Sequence, residues 1–308
     1  MAENVLVVHG GGPTAVINSS LYGVLEEAKA SGKIDKVYGA MGGSEAIFKE
    51  RFLDLLQFPE EKLKLLLETP ATAIGSSRYA LEEEDYQAMP EIFKKYDIKY
   101  VLLNGGNGTM DTCGKIYHAC EGHGINVVGI PKTIDNDIAI TDHTPGYGSA
   151  ARYIAATTAE VGVDVKSLPI HVCVIEAMGR NAGWLTGAAA LSKGEDCEGP
   201  DLIYLPELAF DVEKFVEKVR GLLEKKQSVV VAVSEGIRLA DGRYVCELTD
   251  GVDYVDAFGH KQLSGTANYL ACRIANELGC KARGIELSTL QRAASHLVSR
   301  IDIIEAYQ

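Results

Sequence analysis

Short apolar runs that close on glycine loops, separated by stretches with helical spacing, constrain this chain more than any other feature. Asn4 to Val8 is strand-like, a glycine loop follows, and Ile17, Leu21, Val24, Leu25 and Ala28 then recur along one helix face. Lys36 to Ala40 reads as a second strand, and Tyr100 to Leu103 as another that ends in Asn104-Gly105-Gly106. Met110 to about Gly122 suits a helix, and Ile125 to Ile130 is a strand closed by Pro131. After about Thr144 the rhythm restarts, with helix over Ser149 to Val161, strand over Ile170 to Ile175 and helix over Trp184 to Leu191. Leu202 to Leu205 (strand), Val212 to Lys225 (helix), Val229 to Val233 (strand), Gln262 to Leu278 (helix) and Ala282 to Leu287 (strand) complete it. Parallel strands need a crossover, and helices supply it, so this alternation predicts parallel-rich sheets with helices on both faces. The expected fold class is α/β: two Rossmann-like three-layer lobes with a cleft between them, residues 1–145 plus 288–308 forming one and 146–287 the other.

Charge and composition exclude some functions. A net charge of −13 argues against a nucleic-acid partner, because phosphate backbones are bound by an excess of Lys and Arg. A small anionic substrate needs only a few local cations. No apolar run of membrane-spanning length and no secretory leader pattern is present, which points away from a membrane and toward a cytoplasmic protein. The seven cysteines are odd in number and form no C-x-x-C pair, as in a reduced thiol inventory.

Four loops at strand ends carry chemistry-bearing residues. Gly10-Gly11-Gly12-Pro13-Thr14-Ala15 joins a strand to a helix, where backbone amides and the helix dipole favour an anion. It also fits a relaxed dinucleotide fingerprint, but the second strand ends in Met41-Gly42-Gly43 rather than in the acid a ribose needs. A plain structural turn is the bland alternative. Gly105-Gly106-Asn107-Gly108-Thr109 lets a polyphosphate lie against bare backbone. Pro131-Lys132-Thr133-Ile134-Asp135-Asn136-Asp137 sets two carboxylates beside a lysine and a hydroxyl. One acid could serve as base toward an alcohol and the other toward Mg²⁺, the alternative being an Asx turn with solvated acids. Glu176-Ala177-Met178-Gly179-Arg180 follows a strand and offers a guanidinium fork for a phosphate. Trp184, on an apolar helix, is expected in the core, and Glu82 to Asp85 is expected to start a helix. His118, His123 and His296 lack metal-ligand spacing.

Together these loops resemble the phosphofructokinase family from Val5 to about Arg292, most specifically in Pro131 to Asp137 and Met178-Gly179-Arg180. The resemblance implies phosphoryl transfer to the 1-hydroxyl of fructose 6-phosphate in glycolysis, with the donor on the first lobe and the sugar phosphate largely on the second. It implies that Asp135 takes the proton from the hydroxyl, that Thr133 and Lys132 serve the transferring and leaving groups, and that Asp137 with Asn107 holds Mg²⁺. Gly11, Arg78, Tyr79, Asn107, Gly108 and Thr109 would line the donor site. Thr133, Asp135, Met178, Gly179, Arg180, Glu235, Arg283 and Arg292 would bind the sugar phosphate. Homodimers or homotetramers are usual in the family.

This chain departs from the family pattern at several places. Asn107 stands where an Asp is usual, and His171 where many members send an arginine across a subunit interface. Thr289 replaces a histidine, Ala293-Ala294 replace glycines, and Tyr22 and Glu26 replace the arginines of a nucleotide effector site. The family also continues past the equivalent of Gln308, so a shortened chain with exposed apolar surface is expected.

The two donor-selecting positions disagree. Gly108 leaves room for the α-phosphate of ATP, whereas Lys132 matches the pyrophosphate-using pattern. A steric block excludes a ligand more firmly than an added, movable lysine does, which favours ATP over pyrophosphate. The competing readings are a catalytically weak regulatory homologue and a glycine-loop kinase acting on NAD or lipid.

Overall fold

A computed structural model describes residues 3–77, 79–168, 170–248 and 265–308. The chain divides into two compact units, Met1–Ser149 with Arg292–Gln308 and Ala150–Gln291. Each boundary falls four residues later than expected, because it lies within a helix, Tyr147–Ser167 on the way out and Leu290–Ala293 on the way back.

The first unit holds strands β1 (Glu3–His9), β2 (Ile34–Ala40), β3 (Phe52–Asp54), β4 (Ile98–Gly105) and β5 (Asn126–Pro131) in the order β3-β2-β1-β4-β5. β1 runs parallel to β2 and β4, β4 parallel to β5, and only β3 is antiparallel. Alternate β1 side chains serve opposite faces. Val5 and Val7 pack with Leu21, Leu25 and Ala28 of the helix Ile17–Ser31. Leu6 and Val8 pack with Met89 and Phe93 of the helix Glu83–Lys95 and with Ile116 of the helix Asn107–Ala119. A strand covered on both faces reads as a continuous apolar run, which is why β1 was legible. Phe93 is fully buried, and truncating such a ring to Ala costs roughly 3–5 kcal/mol.

The acid run does start a helix: Glu82 and Asp85 form a capping box. β3 escaped the sequence reading because three residues are too few to show a period. The helix Arg300–Tyr307 lies on Ile17–Ser31, with the Tyr22 and Tyr307 rings 6.0 Å apart. Ile301 and Ile304 remain exposed, and a groove of 870 Å³ lined by Val24, Ile34, Tyr100, Leu102 and Tyr307 opens beside it.

The second unit holds β6 (Val172–Ala177), β7 (Leu202–Tyr204), β8 (Ala209–Phe210), β9 (Val229–Ser234), β10 (Arg238–Leu239) and β11 (Ala282–Glu286). A parallel sheet of order β11-β6-β9-β7 is accompanied by the short parallel pair β10-β8. Val172, Val174, Val229 and Val231 face Phe215 and Val219 of the helix Val212–Leu223, together with Leu270 and Ile274 of the helix Thr266–Leu278. Residues 262–264, expected to open that last helix, lie outside the described residues. Trp184 corrects an expectation: it is 56% exposed rather than in the core. It is the first residue of the one-turn helix Trp184–Ala188, in which Leu185, Thr186 and Ala188 take the buried positions.

Candidate active site

Strand order places the reversal of the first sheet at β1. The chain moves outward to β2 and β3, then crosses back to β4 and β5 on the other side of β1. Loops leaving β1 and β4 at their carboxyl ends therefore diverge and open a crevice, the usual ligand position in such sheets. Gly10–Thr14 leaves β1, Gly105–Thr109 ends β4, and Pro131–Asp137 ends β5, so three of the four loops singled out by sequence are neighbours.

The first two of these loops touch. The Thr109 side chain occupies the space that a Cβ on either Gly10 or Gly105 would need, so only glycine allows this approach. The helix Asn107–Ala119 begins three residues earlier than its spacing predicts, which makes Asn107, Gly108 and Thr109 its first turn. First-turn N–H groups lack intrahelical acceptors and favour an anion. A Cβ on Gly108 would meet nothing within 4 Å, so that position is open. Ser76 donates its hydroxyl to the Gly11 carbonyl at 2.8 Å, and the Tyr79 N–H donates to Ser77 Oγ at 2.9 Å. Arg78, expected at the donor site, lies outside the described residues.

Lys132 is the electrostatic centre of this unit. It is only 3% exposed, and its ammonium donates to the Gly12 carbonyl at 2.7 Å. Burial first, and the Arg292 guanidinium second, push it down to about 8, with Asp135 pulling the other way. Arg292 lies over the same loop: its Nη1 would stand 2.5 Å from a Cβ on Gly12. His9, fully buried at the end of β1, pairs its Nδ1 with Thr72 Oγ1 at 2.7 Å. Burial and then the Lys132 charge push it down to about 3, so it stays neutral. Two cations thus converge on a glycine loop, with one nearby carboxylate affecting the charge of Lys132.

The acidic loop is built around Asn136, whose φ of +54° suits an Asn better than a bulkier residue. Its side chain accepts the Thr144 N–H at 2.8 Å and donates to the Asp142 carbonyl at 3.1 Å. This leaves Asp135 and Asp137 on either side, and the Asp135 N–H donates to Thr133 Oγ1 at 3.1 Å. The Asn107 amide donates to the Asp137 carbonyl at 3.3 Å. Protein packed around the Asp137 carboxyl raises its pKa, chiefly through burial, although the residue as a whole keeps an exposed face.

In the second unit, the loop Met178–Arg180 leaves the carboxyl end of the central strand β6. Gln291 accepts the Met178 N–H at 3.0 Å, and Ser234 donates its hydroxyl to the Gly179 carbonyl at 2.7 Å. The Glu235 N–H donates to the Ala177 carbonyl at 2.9 Å, bringing Glu235 to the same end. Glu176, at the end of β6, accepts the Ala267 N–H at 2.8 Å at the start of the helix Thr266–Leu278. Its burial raises the carboxyl to about 7, with the Glu286 charge adding to this.

Arg283 is not brought to that loop by its own chain. In the parallel β11–β6 register it pairs with Cys173, five residues before Met178, roughly 16 Å away at about 3.3 Å per residue. It sits instead at the amino end of the sheet, near His171, whose Nδ1 accepts the Lys281 N–H at 3.3 Å. Ser234, Gln291 and the capping role of Glu176 were missed by sequence reasoning. Each acts on backbone far away in sequence, and no local pattern marks that.

Comparison with known proteins agrees with this architecture. The family model described as phosphofructokinase matches residues 4–297. A pyrophosphate–fructose 6-phosphate 1-phosphotransferase from Halomonas elongata is 38% identical over 99% of this chain and 74% of its own length. One from Rhodospirillum rubrum is 42% identical over 98% of this chain and 76% of its own. The crystal structure of a pyrophosphate-dependent phosphofructokinase from Nitrosospira multiformis superposes with a TM-score of 0.87 at 36% identity, covering 100% of this chain and 74% of that one. On the fold, the loop arrangement and these matches, the chain belongs to the phosphofructokinase family.

Proposed function

We propose that this protein transfers a phosphoryl group from inorganic pyrophosphate to the 1-hydroxyl of fructose 6-phosphate, releasing phosphate. The observation that carries the donor assignment is the buried ammonium of Lys132, tied to the Gly12 carbonyl beside Arg292. The names of the relatives support it. The expectation of ATP from the sequence is not supported and is withdrawn. It rested on the idea that a long lysine moves aside, but at 3% exposure Lys132 has nowhere to swing. The open space at Gly108 permits a larger ligand without recruiting one.

In this reading Asp135 accepts the proton as the 1-hydroxyl oxygen forms its bond to phosphorus. The bond to the leaving phosphate breaks, and its charge is met by Lys132, by the amides of the two glycine loops and by Arg292, whose place over Gly12 moves it here from the sugar-phosphate role expected of it. Thr133 helps hold the transferring group. Met178, Gly179, Arg180 and Glu235 hold the sugar phosphate. Arg283 and His171, at the far end of their own sheet, would serve the sugar phosphate of a second copy in a homo-oligomer. Asp137 suits a hard cation: its carboxylate neighbours the Asn107 side chain, and no ion pair reaches it among the described residues. Asp137 and the Asn107 amide oxygen would hold Mg²⁺, which when bound supplies charge neutralisation at the phosphoryl oxygens.

The test is a steady-state assay of the full chain with fructose 6-phosphate and either pyrophosphate or ATP. Turnover with pyrophosphate and none with ATP is expected. ATP-supported turnover with an inert pyrophosphate arm would reverse the donor assignment, and activity with neither would favour the regulatory homologue. No described helix is long and apolar enough to cross a membrane.

A further inference from the structure

We propose that Asp302 is a positioning residue for the Thr133–Asp137 loop, acting through a junction at Gly146; the inference rests on the catalytic role proposed above for that loop. Asp302 is 1% exposed and lies on the helix Arg300–Tyr307, more than 150 residues from the loop it serves. Its Oδ1 accepts the Gly146 N–H at 2.8 Å, and its Oδ2 accepts the Ser149 N–H at 2.9 Å and the Ser149 hydroxyl at 2.5 Å. These are donors at the start of the helix Tyr147–Ser167, which have no acceptor of their own within it. The cap of a 21-residue helix is therefore supplied by a remote carboxylate.

The strip 144–146 that Asp302 pins is bonded directly to Thr133. Gly146 and Thr133 form an isolated parallel bridge, and the Thr133 N–H donates to the Pro145 carbonyl at 3.1 Å. The Thr144 hydroxyl donates to the Thr133 carbonyl at 3.0 Å, and the Thr144 N–H to Asn136 Oδ1 at 2.8 Å. Gly146 also touches the first glycine loop. With φ +111°, it has space for no side chain, because a Cβ would stand 2.5 Å from Thr14 Cγ2. One short strip thus meets the donor loop, the acidic loop and Asp302.

A divalent-cation reading of the same residues fails. His143, Asp302 and Glu305 offer ligand-type atoms within 4.8 Å of one another. Both Asp302 oxygens are already taken by N–H and O–H donors, and His143 Nδ1 is 2.5 Å from Glu305 Oε2. The carboxylate holds backbone in place. Removing it strands two buried N–H groups and frees the strip, and a displacement of about 1 Å in a reacting constellation costs roughly a hundredfold in rate.

The test compares Asp302→Asn with Ala306→Gly, which loosens the same helix without touching the junction. Steady-state kinetics with pyrophosphate and fructose 6-phosphate is paired with amide hydrogen exchange. For Asp302→Asn, kcat is expected to fall about 30- to 100-fold with both KM values within about threefold, and exchange to quicken across 131–149. For Ala306→Gly, kcat is expected to hold while exchange quickens only in 300–307. An unchanged kcat in Asp302→Asn, exchange changes confined to its last helix, or an equal kcat loss in both variants overturns the proposal. If the parent chain turns over neither substrate pair, the functional reading fails, and the exchange pattern alone decides whether Asp302 holds the loop. Should Asp302→Asn not fold, Thr144→Val removes the hydroxyl that reaches the Thr133 carbonyl and Asn136 Oδ1, keeps the backbone bonds of the strip, and is expected to give the same pattern at several-fold rather than 30-fold.

Discussion

The carboxyl ends of β5 and β6 each bury one ionisable group, and the two groups are treated in opposite ways. Lys132, just past β5, is driven down by burial and by Arg292, and its hydrogen bond goes to a neutral carbonyl. Glu176, closing β6, is driven up by burial, yet its carboxylate already accepts a backbone N–H at a helix start. A charge that folding desolvates and leaves undercompensated is costly, and such a cost persists where a ligand of opposite sign repays it. Glu176 is displaced about as far from its ordinary value, so the helix start offsets only part of its cost. The contrast teaches that burial of a charge is a weak sign of function, and that the partners around it, a helix start in one case and a second cation in the other, are the informative part.

The largest effect is expected beside Lys132. Asp135→Asn should lower kcat by about 10²- to 10⁴-fold with far-ultraviolet circular dichroism unchanged. Residual turnover within tenfold of the parent would remove Asp135 from the reaction. Lys132→Met comes next: pyrophosphate-supported kcat/KM is expected to fall about 10²- to 10³-fold. The same change should raise the melting temperature of the ligand-free protein, since it deletes a desolvated charge. The sign follows from linkage: below pH 8 the folded protein carries a charge it disfavours, and the penalty fades as pH rises from about 8 toward 10.5. A variant that loses stability but keeps its activity would dissolve the contrast.

Binding itself offers a finer measurement. An anion beside Lys132 favours the charged form, so pyrophosphate binding above pH 8 should take up a proton that Lys132→Met does not. Titration calorimetry in two buffers of different ionisation heat reads this directly, and equal uptake by parent and variant would count against the site. The smallest effect belongs to Glu176→Gln. Between pH 4.5 and about 7 the folded state keeps a proton that the unfolded state has lost, so stability declines as pH rises through that window. The variant should flatten that decline in calorimetric scans while changing turnover by less than about threefold. A large kcat loss would move Glu176 into the reacting machinery.

Several parts of this molecule were readable one residue at a time. The runs of β1 and β4 are continuous because both faces are covered, and the acids at 82–85 announce a helix through local capping chemistry. The glycine loops and the Pro131–Asp137 string were visible for the same reason: backbone freedom and side-chain type are local properties. Reading donor preference from them failed. The mobility of Lys132 is set by what surrounds it, and its surroundings come from Gly12 and Arg292, 120 and 160 positions away.

Periodicity and turn chemistry act within a few residues, so order and type of elements, the parallel sheets and the short list of reactive loops follow from the chain's own text. Which end of a sheet a residue occupies depends on strand register, and this alone separates Arg283 from Met178. Whether a charge is buried, whether Trp184 faces in or out, and that Asp302 caps a helix starting at Tyr147 depend on packing between segments far apart in sequence. Those contacts exist only once the sheets have formed, because long-range geometry, unlike a helical repeat, leaves no mark on neighbouring letters.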